Sequence, residues 1–333
     1  ENPLAYYQGK QIDQIYQDAK SKNALLGDVK NRLYEQEQGV YNIQQLLTGA
    51  KTAVQYLTDS THNTDKNAVQ TKRDELLQRA QSIVSNLNAQ YGNYYVFGGN
   101  DVSTTPFSLS KDGATLTFSH KFPGDTTTTT MTMKLTDDGK GSYAYEISDA
   151  DLNNMLKAMR EQGRVDIGYG DISNENTLLD TYTGGLNALT GLSSDALRAM
   201  SDDAAKAAIK KGLNEGPLGL VGAAVMTSDQ YIDGTIDASK FTESMGTIHG
   251  QITQAEHTVS TVYADLGNKS NILETTKKRL DALEDSLETQ YTNLLGADPY
   301  EAIMEMYSYQ YSYSAALKVG SNLLQSSLFD FLA

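Results

Sequence analysis

The sequence predicts an α+β multidomain protein: a long antiparallel coiled-coil helical rod built from both chain ends, with an inserted β-rich domain. Three observations carry this. Apolar residues recur at alternating three and four spacings over residues 12–57 and again over 252–294. From Asp101 onward the pattern becomes strict alternation around glycine-containing turns. Between the two regimes, residues 92–107 hold a cluster of aromatics followed by a glycine pair and Thr105-Pro106-Phe107.

The first seam reads Ile12, Ile15, Ala19, Lys22, Leu26, Val29, Leu33, Gln36, Val40, Ile43, Leu47, Ala50, Val54 and Leu57. Twelve of its fourteen positions are apolar and no proline interrupts them. A mean spacing near 3.5 is the coiled-coil period and implies a left-handed supercoil. A helix over these residues would be ~70 Å long at 1.5 Å per residue, longer than a small domain is wide. Turn and cap formers from Thr58 to Thr64 stop it. Asp65 or Thr64 then caps a second helix. Its seam is Val69, Arg73, Leu76, Ala80, Ile83 and Leu87, and it returns antiparallel to the first and ends at Tyr91-Gly92.

The passage after it is the expected domain junction. Tyr95, Phe97 and Phe107 seal the end of the helical bundle, while Gly98 and Gly99 turn the backbone into the sheet. Residues 107–110 and 115–118 alternate around Lys111-Asp112-Gly113, a hairpin signal. Threonines 126–130 lead into a strand over Met131–Leu135, Asp138-Gly139-Lys140-Gly141 turns the chain, and Tyr143–Ile147 alternates again. Asp149 or Asp151 caps a short helix faced by Leu152, Met155, Leu156 and Met159, and residues 165–169 suggest one more strand. Residues 193–250 read as interrupted helix, with Ser201-Asp202-Asp203 as a cap, Gly212 as a stop and Gly216-Pro217 as a loop.

The second seam is Ile252, Ala255, Val259, Val262, Leu266, Lys269, Leu273, Thr276, Leu280, Leu283, Leu287, Gln290 and Leu294, with ten of thirteen positions apolar. Lys277, Lys278 and Arg279 read as a solvated charged face among Glu274, Asp281, Glu284 and Asp285. A narrow apolar stripe needs a partner, and the nearest complement is the other end of the chain. The alternative is a coiled-coil dimer of each segment with its own copy. The expected division is 1–99 and 216–296 for the two parts of the rod, 100–215 for the inserted domain, and 297–333 for a separate C-terminal helix.

That last helix begins with Asp298 as cap and Pro299 at its first position. Ile303, Met306, Tyr313, Leu317, Leu324, Leu328 and Phe331 follow one helical stripe, and Tyr307, Tyr311, Val319 and Phe329 form a second ridge. After Glu305 only Lys318 and Asp330 are charged. A helix apolar on more than one face is expected to be covered by other molecules, and the first stripe is the candidate assembly interface. Its polar positions carry Ser, Gln and Asn rather than the Lys and Arg of a membrane-surface helix.

Composition narrows the function classes. The 333 residues carry 27 basic and 42 acidic side chains, a net charge of -15. Nucleic acid and anionic membrane both want clustered cations, so neither is an expected partner. Cysteine is absent, which removes disulfides and thiolate metal sites. No stretch is long and apolar enough to cross a membrane. The first residue is Glu rather than Met, so a natural N-terminus is expected to have been removed. The four histidines, His62, His120, His249 and His257, form no metal-binding helix motif. The last two lie two turns apart, ~12 Å along a helix axis, too far to share one metal. The Gly-x-Gly patterns near 168 and 219 lack a phosphate-loop context. No cofactor, metal or catalytic residue is expected. The rival from another class is an enzyme or glycan-binding module within 101–215.

Three stretches resemble the bacterial flagellin superfamily, and within it the hook-filament junction family: Asn2-Pro3-Leu4-Ala5, then Tyr95-Val96-Phe97-Gly98-Gly99 with Thr105-Pro106-Phe107, then the end from Asp265-Leu266-Gly267-Asn268 to Leu328-Phe329-Asp330-Phe331-Leu332. The resemblance covers about 1–107 and 245–333. The junction signature departs in one place: its glycine comes one position early, with Asn93 in the usual slot, where Asn tolerates a left-handed backbone. The family's N-terminal axial helix is not in this sequence. Ala50-Lys51-Thr52-Ala53-Val54-Gln55 lacks the arginine of flagellins that bind the animal innate receptor, so no such binding is expected. The resemblance implies a structural subunit and no enzyme. It implies export, unfolded and aided by an export chaperone, through the flagellar type III apparatus to the extracellular flagellum. It further implies a ring of copies between the first hook-associated protein and flagellin, with residues 298–331 lining the inner tube and residues 12–57 and 252–294 forming the rod seam. The rod-seam positions are Leu26, Leu33, Val40, Leu47, Val54, Val259, Leu266, Leu273, Leu280 and Leu287. A monomer with a mobile C-terminal arm is expected in isolation, because ordering costs ~1–2 kcal/mol per residue until neighbours supply contacts. The alternative is a filament flagellin with a small outer domain.

Overall fold

The computed structural model describes residues 3–137, 142–161, 163–168, 177–180, 184–295, 303–304 and 306–315. The chain forms two compact units, one of residues 1–27 with 275–333 and the other of 28–274. Two long helices, α1 (Pro3–Thr58) and α8 (Ala238–Leu295), are present.

In the unit of residues 28–274, ionic and polar contacts join the long helices side by side. Glu256 on α8 accepts from Lys51 Nζ and from Thr48 Oγ1, both at 2.8 Å, and Glu274 pairs with Lys30. Asp65 caps α2 (Lys66–Leu87) by accepting from the Asn67 N–H at 2.9 Å. The helix ends at Leu87, four residues before the expected Tyr91. Asn88 is its C-cap, and the following residues instead pair as a short hairpin of β1 (Gln90–Tyr91) and β2 (Tyr94–Tyr95). The left-handed residue of that hairpin is Gly92 (φ 59°). Among the described residues no non-glycine takes positive φ, so Asn93 does not fill the left-handed role expected of it.

The central sheet is antiparallel in the order β3 (Phe107–Leu109), β4 (Thr115–His120), β5 (Thr129–Asp137), β6 (Tyr143–Glu146). Its alternation sends Leu116, Phe118, His120, Met131, Met133, Leu135 and Tyr145 inward. Thr115, Thr117, Ser119, Thr130 and Thr132 take the opposite face, as a half-buried strand requires. The expected turn at 138–141 lies outside the described residues. The helix α3 (Asp149–Arg160) is capped by Ser148, whose hydroxyl accepts from the Asp151 N–H at 3.0 Å. Asp149 and Asp151, the expected caps, sit inside the first turn, where their charge complements the positive helix end. β7 (Arg164–Asp166) pairs antiparallel with β8 (Leu178–Asp180) and stops short of the expected 169, which lies outside the described residues.

Four helices follow: α4 (Gly185–Thr190), α5 (Ser194–Ala199), α6 (Asp202–Asn214) and α7 (Pro217–Asp233). Two expectations fail here. Gly212 does not stop α6, which runs two residues beyond it. Its missing side chain serves packing: a Cβ there would lie 2.8 Å from Thr190 Cβ and 3.1 Å from the Thr190 carbonyl oxygen. Nor is Gly216-Pro217 a loop, since Gly216 is the N-cap of α7 and Pro217 its first residue, where proline loses no hydrogen bond. The helix α7 is apolar on nearly every side and packs against α2, α6 and the β5–β6 edge of the sheet. Arg73 on α2 grips Asp229 on α7 with Nε and Nη2 at 2.8 and 2.9 Å.

In the unit of residues 1–27 with 275–333, Asn23 donates to Asp281 and Glu284 at 2.5 and 2.9 Å. Lys277 donates to the Asn23 side-chain oxygen at 2.5 Å. Lys277 is therefore a link between helices rather than part of a purely solvated face.

Glycine in a helix interior ordinarily costs up to ~1 kcal/mol relative to alanine. Gly212→Ala is nevertheless expected to lower the melting temperature, because the new methyl meets Thr190 backbone and Cβ atoms that have no flexible end to move. Thermal unfolding of the full chain followed by circular dichroism checks the sign.

Candidate assembly surface and domain junction

The expected junction ties several separate segments of residues 28–274 together. Phe97 is fully buried, and its ring lies against Gly39 of α1, where a Cβ would come within 2.7 Å of the ring. The Phe97 carbonyl accepts from the Gly185 N–H at 2.8 Å, which ties the start of α4 to the junction. Gly98 is required by contact: a Cβ on it would fall 1.8 Å from the Asp101 carbonyl oxygen. Gly99 is required by conformation, with φ 67°. Tyr95 is half-buried and its hydroxyl accepts from Thr105 at 2.7 Å. Phe107 packs on Phe118, centroids 5.1 Å apart, and closes over Gly185.

Three residues that hold this junction were not among the expected ones. The Asn88 side chain donates to the Phe107 carbonyl at 2.8 Å and accepts from the Phe107 N–H at 2.9 Å. Gln36, a polar interruption in the first seam, is buried and donates to the Val96 carbonyl. Asp101 accepts from the Ser103 and Thr104 N–H groups, the Ser103 hydroxyl and the Lys121 N–H. Burial by itself would push the Asp101 carboxyl up, but these donors outweigh it and hold it below the usual carboxylate value. The sequence signal was available in principle. A buried seam interrupted by Gln, and Asn or Asp beside a glycine turn, both announce backbone groups needing partners.

The seam positions divide between the units. Leu26, Leu280 and Leu287 are buried in one, and Leu33, Val40, Leu47, Val54, Val259, Leu266 and Leu273 in the other. Ile15 is exposed. Of the candidate assembly stripe, Ile303, Met306 and Tyr313 are described, and Leu317, Leu324, Leu328 and Phe331 lie outside the described residues, as do Asp298 and Pro299. Residues 303–304 and 306–315 are helical. Ile303 borders a shallow pocket with Ile12, Tyr16, Leu287 and Tyr291, while Tyr313 is exposed. So are Met304 (71%), Tyr307, Tyr309 and Tyr311 (82%). Five large side chains on about three turns of helix thus face solvent.

Elsewhere the chemistry is sparse. Among the described residues no three His, Asp or Glu side chains converge as metal ligands would, and no helix is long and apolar enough to cross a membrane. His62 stacks on Tyr56 and pairs with Asp59, while His249 and His257 sit on α8.

Asn88→Ala would leave two buried backbone groups of Phe107 unpaired. It is expected to cost ~1–3 kcal/mol of stability, read from denaturant unfolding of the full chain.

Residues 249–332 match the family profile described as the bacterial flagellin C-terminal helical region. No curated protein matches the chain at the level of sequence. Among solved structures, FlgL of Bacillus cereus is similar at 13% identity and a TM-score of 0.44, over 84% of this chain and 97% of that one. A putative flagellar hook-associated protein of Vibrio parahaemolyticus aligns at 11% identity and 0.44, over 86% and 98%. The flagellar hook associated protein-3 of Legionella pneumophila aligns at 14% and 0.35, over 90% and 100%. Similarity at these scores carries no argument of its own, whereas the family match is specific to a named region. By that match this chain is flagellin-like over residues 249–332.

Proposed function

We propose that this chain is the subunit that joins the flagellar hook to the filament. The observation that carries the reading is the solvent exposure of Met304, Tyr307, Tyr309, Tyr311 and Tyr313, on more than one face of a helix inside the flagellin C-terminal region. Apolar and aromatic surface on one short helix is stable in water only at a cost, and that cost is recovered when a neighbouring subunit covers it. Ile303, Met306, Tyr313, Leu317, Leu324, Leu328 and Phe331 are the proposed subunit contacts. The proposed layout keeps 1–99 and 216–296 as the helical rod, with Leu26 to Val54 and Val259 to Leu287 as its seam. Residues 100–215 are the outer domain and 297–333 the inner helix.

In this reading the work is mechanical. Copies form a ring between the first hook-associated protein and flagellin, after export through the type III apparatus with a chaperone. The ring carries torque, and nothing is turned over. The aromatic-glycine passage at 95–107 favours a junction subunit over a filament subunit.

Two outcomes separate these readings. Purified chain added to hooks from a mutant lacking the junction protein is expected to restore filament growth when flagellin is supplied. Long filaments formed by the chain alone would instead make it a filament flagellin. Tyr311→Asp is expected to leave stability within ~0.5 kcal/mol, as for an exposed position. It should reduce incorporation into hooks at least about tenfold, since a charge would have to be buried.

A further inference from the structure

His120 ends β4 with 2% of its surface exposed. Its ring stacks on Phe118 with centroids 5.8 Å apart and meets Phe122 edge-on at 4.8 Å. Nδ1 is buried without a hydrogen-bond partner. The ring does bond the backbone of Gly98, in a way that favours its proton, as donation to a carbonyl does. The bare Nδ1 leaves Nε2 as the donor of a neutral imidazole. The next residue, Lys121, sends its N–H to Asp101 at 2.7 Å. Two successive residues at the end of β4 thus fasten the sheet to the turn formed by residues 97–104.

We propose that His120 is a proton-sensitive latch between the β-sheet and the 97–104 turn, closed while the imidazole is neutral and released when it takes up a second proton. That proton would arrive on Nδ1, which has phenyl rings beside it and no acceptor. Three charged groups act on the ring. Asp101 in the turn and Glu161 after α3 draw a proton toward it, and Lys157 on α3, which lies 4.4 Å over the Phe122 ring, repels one. Asp101 is poorly placed to rescue the charge, because four donors already occupy its carboxylate. Burial is the largest influence and holds the imidazole below the ordinary histidine value.

The sign follows. The folded state binds this proton more weakly than the unfolded chain does. The contribution of the latch is therefore whole above the unfolded value near 6.5 and declines as pH falls below it toward the folded value. One proton changes the opening constant by at most about tenfold per pH unit. The other three histidines lie outside the turn and the sheet, so they do not report locally.

The test is NMR of the full chain between about pH 7.5 and pH 5, the range in which histidine titrates. Protection factors of the Lys121 and Ser103 amides, both donors to Asp101, are expected to fall roughly tenfold in the native chain. They should stay flat in His120→Gln, which keeps a donor near Nε2 and cannot titrate. Factors that stay constant in the native chain, or that fall equally in the variant, overturn the proposal. If the variant does not fold, the imidazole titration of native His120 decides. A value below that of an ordinary histidine supports the latch, and one at or above it overturns it.

Discussion

The reciprocal pair of hydrogen bonds between the Asn88 side chain and the backbone of Phe107 is the contact on which residues 28–274 depend. It stands where helical hydrogen bonding ends and sheet pairing begins. At such a change of structure both the last helical carbonyls and the first strand amides lose their regular partners, and each buried orphan costs as much as a lost bond. One amide side chain, with a donor and an acceptor, satisfies both backbone groups of Phe107 across nineteen residues of chain. Gln36 does the same for the Val96 carbonyl from α1, and Gly185 for the Phe97 carbonyl from α4. Three separated segments are thereby fixed to one short passage, whose glycines answer to the Asp101 carbonyl at Gly98 and to positive φ at Gly99.

The second constraint is the burial of α7. A helix with almost no polar face needs apolar surface all round it, and α2, α6 and the sheet edge provide that surface. The sheet is in this way attached to the helices through α7 as well as through the junction. The Arg73–Asp229 pair orients the contact more than it strengthens it. Asp229 is well exposed, and ion pairs in that setting contribute little beyond geometry. Along α1 and α8, Asn23, Lys277, Lys30 and Glu274 play a comparable part. Apolar stripes set affinity without register, and polar pairs at particular heights supply the register. These features belong to a protein that is flagellin-like over residues 249–332.

Much of the element order was legible from local signals. The cap at Asp65, the hairpin around Asp112-Gly113 and the alternation of β4 and β5 all depend on residues a few positions apart, so a linear reading finds them. Gly212 and Gly216 were misread for the opposite reason. A glycine that ends a helix and one that admits a close neighbour look alike in sequence, and only Thr190 and Leu189 pressed against them tell the two apart. Asn93 was assigned a left-handed backbone that Gly92 already provided one residue earlier.

Periodicity, composition and turn chemistry were enough to establish a mixed α+β chain with long amphipathic helices at both ends and no cysteine chemistry, because these are properties of neighbouring residues. They could not show that Gln36 and Asn88 serve distant carbonyls, that Asp101 is held by Lys121, or that a histidine is sealed among phenyl rings. Those facts arise only when segments far apart in sequence exclude water from a common space, since burial is what turns an ordinary polar side chain into an obligatory partner.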